Sequence, residues 1–410
     1  MAWNYFLWIS GCLLALAWFS RVLDAALGMR NIADIARPEW DRRPGGNPRV
    51  TIIVPARNEE ADIERTLTNL LALDYDNYEV IAVNDRSTDR TGEIMKRVWG
   101  AVVPSTGSVQ TPMSRKSRET WATPATKLKI IHIEELPNGW LGKTHAMWTA
   151  ARQATGDWLL FTDADVMFKP DSLRRALAYA ESAHADHVVM FPQIIMKTPG
   201  ERMMIAFFQT LFVFGHRPWK VADPSTEDHM GVGAFNLVRR KVYESVGTYE
   251  RLRMEVLDDM KLGKVVKEAG YAQRNVFGED LISLYWARGT WGIVRNLSKN
   301  FFAILSFQWP RTFLTCITLA FLNLWPFAGL WLAHGMAKIP FAVALFSLFC
   351  IYCGMWFKSP IRPYYFFLHP VSSTLFLYIL IQSTLLTLVR DGVVWRGTKY
   401  PLEELRRGRV

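Results

Sequence analysis

Apolar residues crowd the two ends of the chain, while the middle, from about residue 47 to 285, mixes apolar and polar positions in short blocks. Residues 3–19 are nearly all apolar, and so are most of 313–333, 341–357 and 366–389. An α-helix needs roughly 20 apolar residues to cross a bilayer. The pattern therefore predicts a membrane anchor at the start and a membrane region of three segments near the end. The first run is short for a span, which leaves an interfacial helix open. It lacks the basic prefix and small-residue cleavage site of a signal peptide, so it reads as an uncleaved anchor. Arg21, Arg30, Arg37, Arg42 and Arg43 follow it and assign that side to the cytoplasm. Pro38, Pro44, Gly45, Gly46 and Pro48 then mark a linker.

In the middle, Val50, Ile52, Ile53 and Val54 predict a buried parallel strand, followed by a turn and a helix over 61–71. A second strand, 79–84, ends in the cap formers Asp85-Arg86-Ser87-Thr88-Asp89. Strand and helix alternate again through 128–133, 144–154, 171–184 and 187–193, the sign of right-handed βαβ units and an α/β sheet. Such sheets bind ligands beyond the carboxyl ends of their strands. Leu159-Leu160-Phe161-Thr162 leads into Asp163-Ala164-Asp165. Alternate residues of an extended chain point one way, so the two carboxylates can face one point. Hard oxygen ligands of this kind suit Mg²⁺ or Mn²⁺ carrying a diphosphate. The bland alternative is a solvated loop after a core strand.

Several motifs together resemble family 2 glycosyltransferases of the GT-A fold, over roughly 240 residues. They are Val54-Pro55-Ala56-Arg57-Asn58-Glu59, Val83-Asn84-Asp85-Arg86-Ser87-Thr88-Asp89, Gly142-Lys143 with Ala146, and Asp163-Ala164-Asp165. The resemblance implies a Rossmann-like nucleotide-diphospho-sugar domain at 49–290. The first two motifs, with Pro55, Ala56, Arg57, Glu59 and Asp85, would then hold the base and ribose of a uridine nucleotide. Asp163 and Asp165 inherit the metal and diphosphate, with Asp165 the direct ligand. Lys143, which by itself reads as a surface lysine at a helix start, is expected in this setting to touch the base or diphosphate. The small residues of Gly231-Val232-Gly233-Ala234 let backbone and sugar approach closely, so Gly233 and Ala234 are expected near the acceptor. The family's acidic pair falls on Asp258-Asp259, with Asp259 as general base; as plain residues the two would cap the helix that follows. One base and one displacement predict inversion at the anomeric carbon.

The Gln-x-x-Arg-Trp motif of processive members is missing. Tyr285-Trp286-Ala287-Arg288-Gly289-Thr290-Trp291 stands in its place and resembles the non-processive branch that modifies lipids. Trp291 is a candidate to stack on the acceptor, although aromatic residues near a membrane also serve as interface anchors. The turn at 136–143, the Leu257-Asp258-Asp259 segment and Trp395-Arg396-Gly397-Thr398-Lys399-Tyr400 resemble enzymes associated with hopanoids, carotenoids or ceramide-like lipids. A polysaccharide synthase and a catalytically silent membrane scaffold are the alternatives.

Around this domain the expected organisation is an anchor at 1–28, a linker at 29–48, an interfacial segment at 291–312, a transmembrane region at 313–390 and a basic tail at 391–410. Residues 200–216, apolar nearly all round, read either as core or as an interfacial helix lining the way in for a lipid. Residues 101–126, rich in Ser, Thr, Pro and basic side chains, read as a mobile insertion whose Arg115, Lys116 and Arg118 face solvent or headgroups. Three full C-terminal spans would put the basic tail outside, against the positive-inside rule. One segment, with 341–357 the first candidate, is therefore expected to re-enter, or two to form a hairpin. The net charge of +10 suits anionic lipid, and no nucleic-acid motif is present. Cys350 and Cys353 have half a zinc site's spacing but no second pair, and like Cys12 and Cys316 they sit in apolar segments. Nothing implies disulfides, which fits an inner-membrane protein whose catalytic domain faces the cytoplasm.

Overall fold

The computed structural model describes residues 2–102, 127–408 and 410, so nearly all of the expected insertion, with Arg115, Lys116 and Arg118, lies outside the described residues. Contacts divide the chain into two compact units. One comprises Ile32–Ile194, Lys220–Tyr285 and Arg396–Val410 and holds the sheet. The other comprises Met1–Asn31, Ile195–Trp219 and Trp286–Trp395 and holds the long apolar helices.

Before residue 286 the sheet unit contributes, in chain order, β1 (Ala33–Asp34), β2 (Val50–Ala56), β3 (Tyr78–Asp85), β4 (Leu128–Ile133), β5 (Trp158–Phe161), β6 (Met167–Phe168), β7 (His187–Phe191), β8 (Gln193–Ile194), β9 (Asn236–Arg239), β10 (Gln273–Phe277) and β11 (Ile282–Leu284). Eight of them form one sheet in the order β1-β10-β7-β9-β5-β2-β3-β4. All pair in parallel except β9, which runs against both neighbours. The strict alternation of strand side chains explains why β2 is apolar almost without interruption. Ile52 and Val54 enter one buried cluster with Leu67, Leu70 and Leu173, while Ile53 enters the opposite one with Met147, Ala150 and Leu262. Both faces are thus covered by helices, giving three layers. A second sheet of β6, β11 and β8 stands beside it. The parallel order brings the ends of β2, β3 and β5 to the same edge, and with them Glu59, Asp85, Asp163 and Asp165.

In the other unit, Ala2–Asn31, Gly335–Trp356 and Pro363–Val389 are long and apolar enough to cross a membrane. Their outer faces carry large bare side chains such as Leu16, Phe346 and Leu385, which water would penalise and lipid would cover. The expectation of a re-entrant 341–357 is corrected here: Lys338–Trp356 is one unbroken helix. The break falls earlier, between Trp309–Asn323 and Trp325–Leu332, which meet at 48°. Pro326 is the cause, since it lacks an amide hydrogen and its ring collides with the preceding turn. Of the two readings of 200–216, core and interfacial helix, packing favours the core for its first turns. Helix Pro199–Gly215 opens with a capping box between Thr198 and Glu201, and it buries Met204, Ile205, Ala206 and Phe207 inside this unit. Its last turn, from Leu211 to Gly215, is the longest continuous stretch left partly open.

Candidate active site

Two loops leave the ends of β2 and β3 and are stitched to each other. Asn58 and Arg86, at φ of 55° and 52°, turn the chain sharply where each strand stops. Asn58 Oδ1 accepts from the Thr88 amide at 2.8 Å, the Glu59 amide donates to Thr91 Oγ1 at 2.8 Å, and the Glu60 amide donates to Asp89 Oδ2 at 3.1 Å. Asn58 and Asp89 thus set loop shape. Asp85, buried at the end of β3, takes two bonds from Arg86 at 2.7 and 3.1 Å and faces Arg57 at 3.9 Å. Burial raises the Glu59 carboxyl above its usual range, against the pull of the Arg396 guanidinium with which it pairs. Pro55 is partly exposed, and Ala56 is buried in the core.

A second cluster lies beyond β5. Lys143, one residue into helix Gly142–Ala151, sets its Nζ 2.8 Å from Asp163 Oδ1 and 3.5 Å from Asp258 Oδ2. Burial pulls the lysine down, but Asp163, Asp258 and Asp259 outweigh it and hold the ammonium charged. Asp258 and Asp259 open helix Asp258–Glu268, where the helix dipole favours negative charge. Asp259 Oδ2 accepts from the Gly233 amide and Oδ1 from the Met260 amide, each at 2.7 Å. Burial still raises its carboxyl, against Lys143 and these amides. Burial and Asp259 push Asp258 up to about 7, with Lys143 opposing.

Between Asp163 and Asp259 runs the glycine segment. The Asp163 amide donates to the Gly233 carbonyl at 3.0 Å, and a Cβ on Gly233 would stand 2.5 Å from Asp163 Oδ2. Only glycine lets the two carboxylates share this wall. Ala234 contributes its carbonyl to Thr162 Oγ1 and buries its methyl in the core, so it offers no side chain to the opening. Lys143, Thr162, Asp163, Gly233, Asp258 and Asp259 line a small pocket with Tyr249 among its walls. Trp291 lies in the helical unit, on Gly289–Leu297, 61% exposed and edge-on to Tyr378.

An acidic edge bridged by a lysine stands at the carboxyl end of an α/β sheet, and likeness to known proteins decides the family. Residues 48–288, more than half of the chain, match the family described as glycosyltransferase like family 2. The chain belongs to glycosyltransferase family 2. This family 2 protein is 21% identical over 236 residues to the 4,4'-diaponeurosporenoate glycosyltransferase of Staphylococcus haemolyticus, covering 57% of this chain and 56% of that one. The same enzyme of Staphylococcus aureus strain USA300 is 24% identical over 216 residues, 52% of this chain and 50% of the other. The chain spans about half the length of the curated relatives it matches. Among solved structures, the mannosyltransferase of Pyrobaculum calidifontis in complex with GDP-Man and Mn²⁺ aligns with a TM-score of 0.51 and 20% identity over 94% of this chain and 99% of that one. The likeness is one of fold, and the fold is GT-A.

Sequence reasoning placed the acidic motifs but missed their partners. Nothing in a lone Lys143 foretells a bridge between Asp163 and Asp258. Asn236 was equally silent: fully buried, it meets His187 through Oδ1 and the Asp259 carbonyl through Nδ2 at 3.4 Å. Its one signal is a polar residue at the head of β9, directly before the apolar Leu237 and Val238.

Proposed function

We propose that the protein is a membrane-bound, inverting glycosyltransferase that moves one sugar from a nucleotide-sugar, in the first instance a UDP-sugar, to a lipid hydroxyl. The observation that carries this reading is the pairing of Asp163 and Asp259 across Gly233, which sets a donor-side carboxylate beside a base on one wall. Asp259 takes the proton of the acceptor hydroxyl. That oxygen bonds to the anomeric carbon as the bond to the diphosphate breaks, and the configuration inverts. Lys143 holds Asp163 and Asp258 in place and supplies positive charge beside the departing diphosphate.

The residues fit a divalent cation of the kind that accompanies a diphosphate. Among the described residues no three His, Cys, Asp or Glu side chains gather as a closed metal cage. Mg²⁺ or Mn²⁺ bound through one or two carboxylates plus phosphate oxygens needs no cage. Asp165 supplies the local reason: two residues beyond Asp163 at the end of β5, its carboxyl is pushed up to about 7 by burial, Asp163 and Glu59, a repulsion that a cation there would relieve. Asp165 and Asp163 would hold the cation, which when bound stabilises the leaving nucleoside diphosphate. The Pyrobaculum mannosyltransferase, solved with GDP-Man and Mn²⁺, supports a nucleotide donor and a metal.

The lipid acceptor is supported by three helices suited to crossing a membrane and by relatives named for 4,4'-diaponeurosporenoate. The position of the tail supports one topology. Arg396–Val410 and the sheet share one unit and hence one side of the membrane, so the chain between Tyr285 and Arg396 crosses an even number of times. Two crossings by Gly335–Trp356 and Pro363–Val389 satisfy that parity if the pair Trp309–Asn323 and Trp325–Leu332 re-enters, and the 48° bend between its helices supports that reading. The basic tail then stays cytoplasmic with the catalytic domain.

The test is a release assay on the protein in lipid nanodiscs. It is given radiolabelled sugar nucleotides, Mg²⁺ or Mn²⁺ and a bacterial lipid extract. Label should enter a lipid fraction, once per acceptor and β-linked, and Asp165→Ala should abolish it. Polymer, or no turnover with any donor and either metal, would refute the reading.

A further inference from the structure

The basic composition of residues 391–410 points to lipid headgroups, yet from Arg396 onward the chain folds into the sheet unit. A left-handed turn at Arg396 and Gly397, with φ of 46° and 81°, aims the segment at the donor loops. The Arg396 guanidinium takes the Arg57 carbonyl and the Glu59 carboxylate together. Thr398 Oγ1 accepts from Arg57 Nη1 at 3.1 Å. Tyr400, on the same face of strand Thr398–Pro401, is 6% exposed and accepts from the Gly142 amide at 3.1 Å, while also meeting Arg86. Behind it, Leu402 and Leu405 are buried, which anchors the segment.

These contacts share one location. Arg57, Glu59, Arg86 and Gly142 all belong to loops at the carboxyl edge of the sheet, where ligands of open α/β sheets bind. Among the described residues, no hydrogen bond or ion pair joins the segment to Asp163, Asp165, Asp258 or Asp259. The segment therefore borders the nucleoside half of the site and leaves the diphosphate half open. We propose that residues 396–400 form a strap that completes the nucleoside subsite, with Arg396 the positioning residue that aims Glu59 and the Arg57 carbonyl. The inference rests on the donor reading above and deepens it. Its physical basis is the low exposure of Glu59, whose side chain is 19% exposed and whose ion-pair partner is Arg396. A half-buried carboxylate without a partner swings toward water or takes a proton. An arginine that grips a carboxylate and a carbonyl together fixes both directions at once.

The experiment uses the full chain in nanodiscs, with UMP binding followed by calorimetry in the absence of metal. Arg396→Ala is expected to weaken UMP about tenfold, the scale of a charge-assisted hydrogen bond. The donor KM should rise by the same factor, with kcat at saturating donor within about twofold of wild type. Arg396→Lys should recover part of the loss. Thr398→Val and Tyr400→Phe, which each remove one contact, should weaken UMP in the same direction if Arg396→Ala misfolds. Asp165→Ala should keep metal-free UMP affinity and lose only the gain that Mn²⁺ gives to UDP. Unchanged UMP affinity and KM in the strap variants, with wild type active, would overturn the strap alone. Tighter UMP binding would do the same and would make the segment a plug. A wild type that binds neither UMP nor GMP would sink the donor reading and the strap with it.

Discussion

Replacing Asp259 by asparagine removes the proposed base while keeping its shape, and the surrounding bonds set what else should change. General-base catalysis is worth about 10² to 10⁴ in rate, so kcat should fall by that factor, roughly 3 to 5.5 kcal/mol in the barrier. The substitution also has a structural cost. Both carboxylate oxygens accept from backbone amides at 2.7 Å, from Gly233 and from Met260. An asparagine offers one acceptor, and its NH₂ turns a donor toward the other amide. A half-buried amide left unmatched costs about 1 to 3 kcal/mol, so the unfolding midpoint should drop measurably. Donor affinity should hold within about threefold. Single-turnover transfer with saturating donor, read beside nucleoside diphosphate binding and scanning fluorimetry, separates these effects. A folded Asp259→Asn variant that transfers within tenfold of the wild-type rate would refute the assignment of the base.

Other outcomes follow from neighbouring contacts. Lys143→Met leaves Asp163, Asp258 and Asp259 without their shared cation. Breaking such a pair costs about 3 to 5 kcal/mol, and the 22% exposure of the lysine side chain puts the loss near the lower end; an unchanged unfolding midpoint would count against the bridge. Gly233→Ala brings a Cβ to 2.5 Å from Asp163 Oδ2, an overpacking cost of about 1 to 3 kcal/mol, and should cut transfer at least tenfold. Gly46→Ala, with no atom within 4 Å, serves as the silent control. His187, fully buried with Nδ1 bonded by Gln273 at 2.7 Å, is held neutral by burial, its pKa pushed down to about 4. The unfolded chain takes up that proton below about 6.5. Stability present above pH 6.5 is therefore lost as pH falls toward 4, about 3 kcal/mol in all. Thermal unfolding across that window should fall less steeply for His187→Gln, and equal slopes would refute the assignment.

Much of the sheet was legible because its strands are buried on both faces. Val50 to Val54, interrupted only by Thr51, Val80 to Val83 and Trp158 to Phe161 announce themselves by their apolar character, and each is followed by a polar cluster that a core strand cannot contain. Strand ends of a parallel sheet share an edge, so the motifs after β2, β3 and β5 had to meet. The helix at 199–215 was less legible, since an apolar surface all round suits core and membrane interface alike, and only packing distinguishes them.

The sequence by itself determined the α/β class, the acidic motifs and the apolar helices, because those depend on periodicity and on near neighbours along the chain. Tertiary structure alone decided that Lys143 bridges Asp163 and Asp258, that Asn236 ties His187 to the Asp259 backbone, and that Arg396 returns to Glu59 across 337 positions. Likewise, the 48° break ahead of Pro326 showed which apolar segment bends. Charged side chains carry no periodicity that names their partner. A buried carboxylate demands a counter-charge, but which of 48 basic residues supplies it depends on where the fold brings distant segments together.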